Sequence, residues 1–297
     1  MKTKIISIAL AVAVMLSAVA LLSGCSDGEY PVEVANLKIE SKPENIVVLD
    51  APTADILIAT GYDRYIVGRS DEVDQKSVEV APSMGSSEKP DADKIIEVGA
   101  DLVFAGPTID ESVKNKLSDK GIQVIKMSHG DTPKQVETNY ITISKICGGT
   151  KTGAKNGEDT YNDLLDKMNN YKQQVNSRNS GILDTVCYLY TEDDQLRIMS
   201  NGTYGDMLLG YTGAVNVAVN ITDNAVDVAT LRVANPNFVF YADDATLKKI
   251  KSDATLAGLG AVKNGKILEV SIEEMSRPGN TSLEALEKMV YFMYPDL

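Results

Sequence analysis

Two stretches of this sequence repeat one order of parts. Each opens on a short apolar, strand-like run, "NIVVLD" (45–50) in the first and "TVCYLYTEDD" (185–194) in the second. After these, "ADILIATGYD" (54–63) is paralleled by "GDMLLGYTGA" (205–214). "ADKIIEVGADLVFAGPT" (92–108) is paralleled by "VATLRVANPNFVFYADD" (228–244), and "DKGIQVIKMS" (119–128) by "KNGKILEVS" (263–271). The spacings between parts differ, which argues against a tandem solenoid. Short apolar runs alternating with helix-like segments predict α/β architecture. With 297 residues to distribute, the expected fold class is α/β, as two Rossmann-like lobes.

Local signals agree. Pro52 and Thr53 suit a helix start and Gly61 its end; a second helix is expected from Asp91 to near Gly99, then a strand over Asp101–Ala105. Between the repeated blocks lies "GEDTYNDLLDKMNNYKQQVNSRN" (157–179). Its Tyr161, Leu164, Leu165, Met168, Tyr171 and Val175 recur at steps of three and four, with no further Gly or Pro before Gly181. This predicts one amphipathic helix of about five turns joining the lobes, stiff enough to limit them to small hinge motions. The expected division is a leader over 1–24, a tether over 25–43 with a short strand at Glu33–Ile39, a first lobe over 44–148, a connecting helix over 149–180 and a second lobe over 181–297.

The N-terminus has two lysines, about eighteen mostly apolar residues and then Ser23-Gly24, the pattern of a secretory signal peptide. The run is almost long enough to span a bilayer, but it is rich in Ala and Ser, which insert weakly. It ends on "LLSGC" (21–25), which resembles the bacterial lipobox. That resemblance implies cleavage before Cys25, diacylglycerol on its thiol and further acylation of the new amine, together a stable anchor. Loss of residues 1–24 removes Lys2 and Lys4, leaving 27 basic against 42 acidic residues, a mature charge of −15.

Composition excludes several functions. The whole chain carries a formal charge of −13 with no basic cluster, which sets nucleic acid aside. One histidine, His129, and three cysteines at positions 25, 147 and 187 give no zinc-site spacing, and there is no P-loop and no Ser-His-Asp arrangement. Cys147 and Cys187 could bridge the lobes or remain buried free thiols; free thiols are expected.

The segments "ENIVVLDAPTADILIATGYDRYIVG", "DADKIIEVGADLVFAG", "GIQVIKM", "NGTYGDMLLGYTGAVNVA" and "MSRPGNTSLEALEKM", in that order behind a lipobox, resemble the solute-binding lipoproteins of ABC importers. Within these the chain resembles the helical-linker group that binds iron–siderophores, haem and cobalamin. The resemblance covers residues 44–297. It implies a ligand cleft between two lobes, no catalysis and no cofactor of the protein's own. It also implies delivery of a small-molecule metal chelate to a membrane permease with its ATPase, by a monomer on the outer face of the bacterial cytoplasmic membrane. A ferric siderophore is the first expectation, a corrinoid such as cobalamin the second and haem the third. A single histidine cannot supply the His-rich centre of the related zinc and manganese binders. Readings from other classes are a lipid-anchored chelate-modifying enzyme and a ligand sensor.

Parallel α/β sheets bind ligands beyond the carboxyl ends of their strands, so the loops there supply the candidates. Arg277, in "SRPGN", offers a guanidinium to ligand carboxylate or catecholate oxygens; a surface ion pair is its bland alternative. Arg69 and Arg197 lie near predicted loops and could add positive charge. Tyr190, Tyr204 and Tyr241 follow strands of the second lobe and could give flat contacts to a macrocycle. Thr53 opens the first cleft-side helix, and His129 could reach a ligand or its metal. By the resemblance, an acid on each lobe docks with permease arginines. The first falls on Asp93; in the second lobe the matching position is Ala229, and Asp227 could substitute.

Overall fold

The computed structural model describes residues 28–297 apart from 35, 179–180 and 182. The leader and Cys25 lie outside the described residues.

The strand expected over 33–39 is two, β1 (Val32–Val34) and β2 (Leu37–Ile39), paired antiparallel. The first lobe then runs β3 (Ile46–Val48), α1 (Ala51–Ala59), β4 (Ile66–Arg69), α2 (Ala92–Glu97), β5 (Leu102–Ala105), α3 (Glu111–Ser118) and β6 (Gln123–Lys126). Its sheet has the order β4-β3-β5-β6, all parallel. Aspartates start these helices. Asp50, Asp91 and Asp110 accept backbone N–H groups of the first turns of α1, α2 and α3, as short oxygen-bearing side chains do at helix N-caps. Gly61, just past α1, takes a left-handed φ of 77°, which a side chain would oppose.

Two helices follow, α4 (Pro133–Gly148) and α5 (Ala154–Arg178), joined by one π-helical turn at Gly149–Gly153. They fold back on each other. The Tyr161 hydroxyl of α5 donates to the Pro133 carbonyl of α4 at 3.1 Å. At Gly157 the helices touch so closely that a β-carbon would sit 2.4 Å from the Tyr140 carbonyl oxygen. The joint predicted from sequence is α5, about 37 Å long by its rise per residue.

The expected tether is not free along its length. Glu29 is held on the π-turn: its carboxylate accepts from the amides of Lys151 (2.8 Å) and Thr152 (3.1 Å), and its carbonyl accepts from Thr150 N–H (2.9 Å). Tyr30 donates its hydroxyl to the Ile146 carbonyl, and Val32 and Ile39 are buried. Polar composition suggested a linker, but these side chains find partners on α4 and the turn.

The second lobe runs β7 (Thr185–Glu192), β8 (Gln195–Ile198), α6 (Tyr204–Tyr211), β9 (Val215–Asn216), α7 (Val228–Ala234), β10 (Phe238–Tyr241), α8 (Asp244–Ser252), α9 (Gly260–Lys263), β11 (Ile267–Glu269), α10 (Ile272–Ser276) and α11 (Asn280–Met293). Strands β11, β10 and β7 are parallel neighbours. On the far edge of β7, β9 pairs parallel with its start and β8 antiparallel with its end. Setting aside β8, the order β9-β7-β10-β11 repeats that of the first lobe, so the sequence parallel is a topological one with a hairpin inserted.

Both sheets are covered on both faces, as parallel sheets require. The inner faces share one apolar core that runs from Val48, Phe104 and Tyr140 through Met168 of α5 to Tyr188, Phe240 and Met289. Each outer face has its own cluster, Val47 and Val103 under α2 and α3, Cys187 and Val239 under α7 and α8. Cys147 and Cys187 are free and lie in different clusters. Among the described residues no helix is long and apolar enough to cross a membrane.

Candidate functional site

In the first sheet β3 and β5 are the neighbours from which successive connections diverge, the switch point where parallel sheets open a crevice. Asp50 stands two residues past β3 there, and Gly106 follows β5. A β-carbon on Gly106 would meet Asp50 Oδ1 at 3.3 Å and His129 Nε2 at 3.7 Å. The bare glycine therefore leaves room for His129 to approach Asp50, at 3.5 Å between Nε2 and Oδ1. Asp50 is buried and also caps α1, accepting from the amide (3.0 Å) and hydroxyl (2.6 Å) of Thr53. The His129 side chain is 57% exposed and faces the second lobe across a cavity.

That cavity has a volume of about 380 Å³. His129, Gly130 and Asp131 form its first-lobe wall. Opposite stand Tyr190 and Glu192 of β7, Met199 after β8 and Thr203 before α6; Asn224, Ile272 and Met275 complete the second wall. The lobes touch at one edge of it, where the Tyr204 amide donates to the Asp131 carbonyl at 2.7 Å. Apolar surface with a few convergent polar groups, at the carboxyl ends of both parallel sheets, is the usual make-up of a small-molecule site.

Of the eight residues expected to meet ligand, His129 and Tyr190 present side chains to this cavity. Tyr190 is half-buried, its ring 6.2 Å from that of Tyr188, and burial together with the Glu192 charge pushes its phenol pKa up. Tyr204 contributes to the wall but is buried at the start of α6, its hydroxyl 2.9 Å from Ser282 Oγ of α11. Burial keeps that phenol protonated. It is a core residue, not the flat platform the sequence suggested.

Four further side chains expected at the ligand are engaged elsewhere in this structure. Tyr241 faces the outer cluster under α8, because alternation along β10 sends Phe238 and Phe240 inward and Val239 and Tyr241 outward. The Thr53 hydroxyl is taken by Asp50. Arg69 Nη1 donates to the carbonyls of Ser70 (3.1 Å) and Val73 (2.9 Å) and so holds its own loop. Arg277 binds carboxylates, but they belong to the protein. Its Nε and Nη2 donate to Asp55 of α1 at 2.8 and 3.3 Å, and Nη1 donates to Asp74 at 2.9 Å. The guanidinium side chain is 11% exposed. Burial works against its charge, yet Asp55 and Asp74 outweigh this and hold the proton more firmly than usual. Arg277 is thus an inter-lobe clasp. Arg197, the remaining arginine of the set, lies opposite Tyr190 on β8 with its Nε 3.6 Å from Glu192.

Sequence reasoning singled out none of Asp131, Glu192, Met199, Asn224, Ile272 and Met275. Asp131 stands two residues past His129, which was singled out. The two methionines and the isoleucine gave no local signal, since their exposure depends on how the lobes meet.

The two docking candidates sit at helix starts. Asp93, in the first turn of α2, is exposed and pairs with Lys116 at 2.8 Å. Asp227 caps α7, its carboxylate accepting from Ala229 N–H and the Thr230 hydroxyl. In the repeat Asp227 therefore stands where Asp91 stands, and Ala229 where Asp93 stands.

Comparison with known proteins places this geometry. Residues 46–271 match the periplasmic binding protein family. An ABC transporter substrate-binding lipoprotein of Bacillus subtilis, YvrC, is 21% identical over 308 residues, covering 96% of both chains. The petrobactin-binding protein YclQ of the same organism is 22% identical over 315 residues, covering 97% of this chain and 96% of that one. The fold is also that of the periplasmic haem-binding protein HutB of Vibrio cholerae, with a TM-score of 0.68 at 17% identity over 84% of this chain and 99% of that one. With the family match spanning most of its length, and two doubly covered parallel sheets facing one cavity, the chain belongs to the periplasmic binding protein family.

Proposed function

We propose that this protein is the extracytoplasmic receptor of an ABC importer and that it captures a metal chelate, a ferric siderophore, for delivery to the permease. It is a solute-binding protein and not an enzyme; both relatives are named as substrate-binding or ligand-binding proteins. The observation that carries the reading is the cavity at the carboxyl ends of both parallel sheets, walled from the two lobes at once. His129 and Tyr190 contact the ligand in this reading. Asp93 and Asp227 meet the permease, and Cys25 carries the lipid that keeps a monomer at the outer face of the cytoplasmic membrane. The name of YvrC as a lipoprotein supports the anchor. Cobalamin and haem are the competing ligands, and proteins that bind each share the fold.

The test is titration of residues 26–297 with a ferric hydroxamate, a ferric catecholate, cobalamin and haem, followed by tyrosine fluorescence. One of the ferric siderophores should bind with Kd below about 10 μM, equivalent to roughly −7 kcal/mol. Failure of all four to do so refutes the receptor reading; binding of cobalamin or haem alone replaces the siderophore.

A further inference from the structure

We infer that this cleft selects chelates that carry no net negative charge. The inference rests on the chelate-receptor reading and names the ligand class within it. Two independent sets of observations point the same way.

First, no basic side chain stands in the walls. Among the described residues that wall the cavity none is a lysine or an arginine. The arginines nearest by sequence logic stand outside those walls, although the Nε of Arg69 and of Arg197 has no hydrogen-bond partner. Arg277 is closed in by Asp55 and Asp74, Arg69 serves the carbonyls of its own loop, and Arg197 faces Glu192. Releasing Arg277 toward a ligand would leave Asp55 buried and unpaired, a costly exchange.

Second, the walls themselves are acidic. Asp131 belongs to one wall and Glu192 to the other, and Asp50 lies buried behind His129. An anionic chelate entering here meets carboxylates from both sides in a space from which it displaces water. The effective dielectric there is nearer 20 than 80, so repulsion is stronger than in solution. A neutral or cationic chelate meets the same carboxylates as hydrogen-bond acceptors or counter-charges.

Charge can be separated from shape with one chelate. A linear ferric trihydroxamate with a pendant ammonium, its N-acetylated neutral form and its N-succinylated carboxylate form share the same metal centre. Titrated against residues 26–297 at low salt, the ammonium and neutral forms should bind at least about tenfold more tightly than the carboxylate form, a gap of about 1.4 kcal/mol. Salt should narrow the gap. Glu192→Gln removes an acid from the wall and frees Arg197, so the ratio of ammonium-form to carboxylate-form affinity should fall by about tenfold, the same 1.4 kcal/mol. Part of this change should be a rise in the affinity of the carboxylate form itself, which cannot come from misfolding. Equal binding of the three forms, or tighter binding of the carboxylate form, overturns the inference and leaves the receptor reading intact. No binding of any of the three also overturns it, and if haem, cobalamin and the ferric catecholate are silent too, the receptor reading falls with it.

Discussion

The inter-lobe clasp gives the sharpest stability prediction. Asp55→Ala leaves the Arg277 guanidinium buried with only Asp74, whose side chain is 71% exposed. Removing one partner of a buried pair costs about 3–5 kcal/mol. Because Asp74 remains, and alanine favours the α1 helix by a few tenths, the lower end of about 3 kcal/mol is expected. Asp74→Ala breaks a contact that water already screens and should cost about 0.5–1 kcal/mol. The assay is equilibrium urea unfolding followed by far-UV circular dichroism, with a slope of about 3 kcal/mol per molar for a chain of this size. Asp55→Ala should lower the midpoint by about 1 M, and Asp74→Ala by about 0.3 M at most. Since one apolar core runs through both lobes, each curve should show a single transition. Equal midpoints for the two variants would refute the argument that burial, not charge count, sets the value of the clasp.

Other consequences are open to direct measurement. Gly157→Ala would drive a β-carbon into the Tyr140 backbone and should destabilise by about 2–3 kcal/mol, whereas Gly210→Ala in α6 meets nothing within 4 Å and should stabilise by about 0.5–1 kcal/mol in the same urea assay. The Glu29 carboxyl is held below the ordinary glutamate value, first by the Thr152 hydroxyl and then by the Lys151 amide. A depressed folded value means that its contribution is present above the unfolded pKa and is lost as pH falls through the folded one. The amide shifts of Lys151 and Thr152 should therefore titrate with a midpoint below that of a free glutamate, and not at it. Burial pushes Cys187 up to about 12, and Cys147 is raised in the same way. Neither should react with a thiol reagent at neutral pH until the chain is unfolded, so labelling of either at the rate of a free thiol would contradict their place in the core.

The architecture could be read from the sequence because it rests on local rules. Polar residues and proline at helix starts, glycines just past helix ends and apolar runs of strand length each act over a few residues, and Pro52, Asp91 and Gly61 do what their positions suggest. The amphipathic spacing of Tyr161, Leu164 and Met168 likewise marked α5, with all three side chains buried. The site was legible only as a set of loops. Which side chains enter the cavity depends on facts that no local pattern carries. Tyr190 lies near the end of β7 and Tyr241 ends β10, yet pleat phase turns one to the cleft and the other away. Arg277 looked available because Asp55 and Asp74 lie more than two hundred residues before it. The polar stretch from Glu29 passed for a linker because its partners at 149–153 cannot be inferred from its composition.

The Glu29 clasp also limits reach. Four Cα steps separate Cys25 from Glu29, a span of at most about 14 Å when fully extended. Anything attached at Cys25 is therefore leashed to the turn at 149–153. From that turn α4 runs back for 16 residues, about 24 Å, to the Thr132 cap beside the cavity lip. A lipid at Cys25 would hold one pole of the molecule at the bilayer while the cleft sits a helix-length away. The height and lean of the receptor over its permease would then be set by a folded strut and a knot at its end rather than by a slack cord. Glu29→Ala would loosen that knot without touching the cleft, while the Glu29 carbonyl, the Tyr30 hydroxyl and buried Val32 keep the rest of it tied.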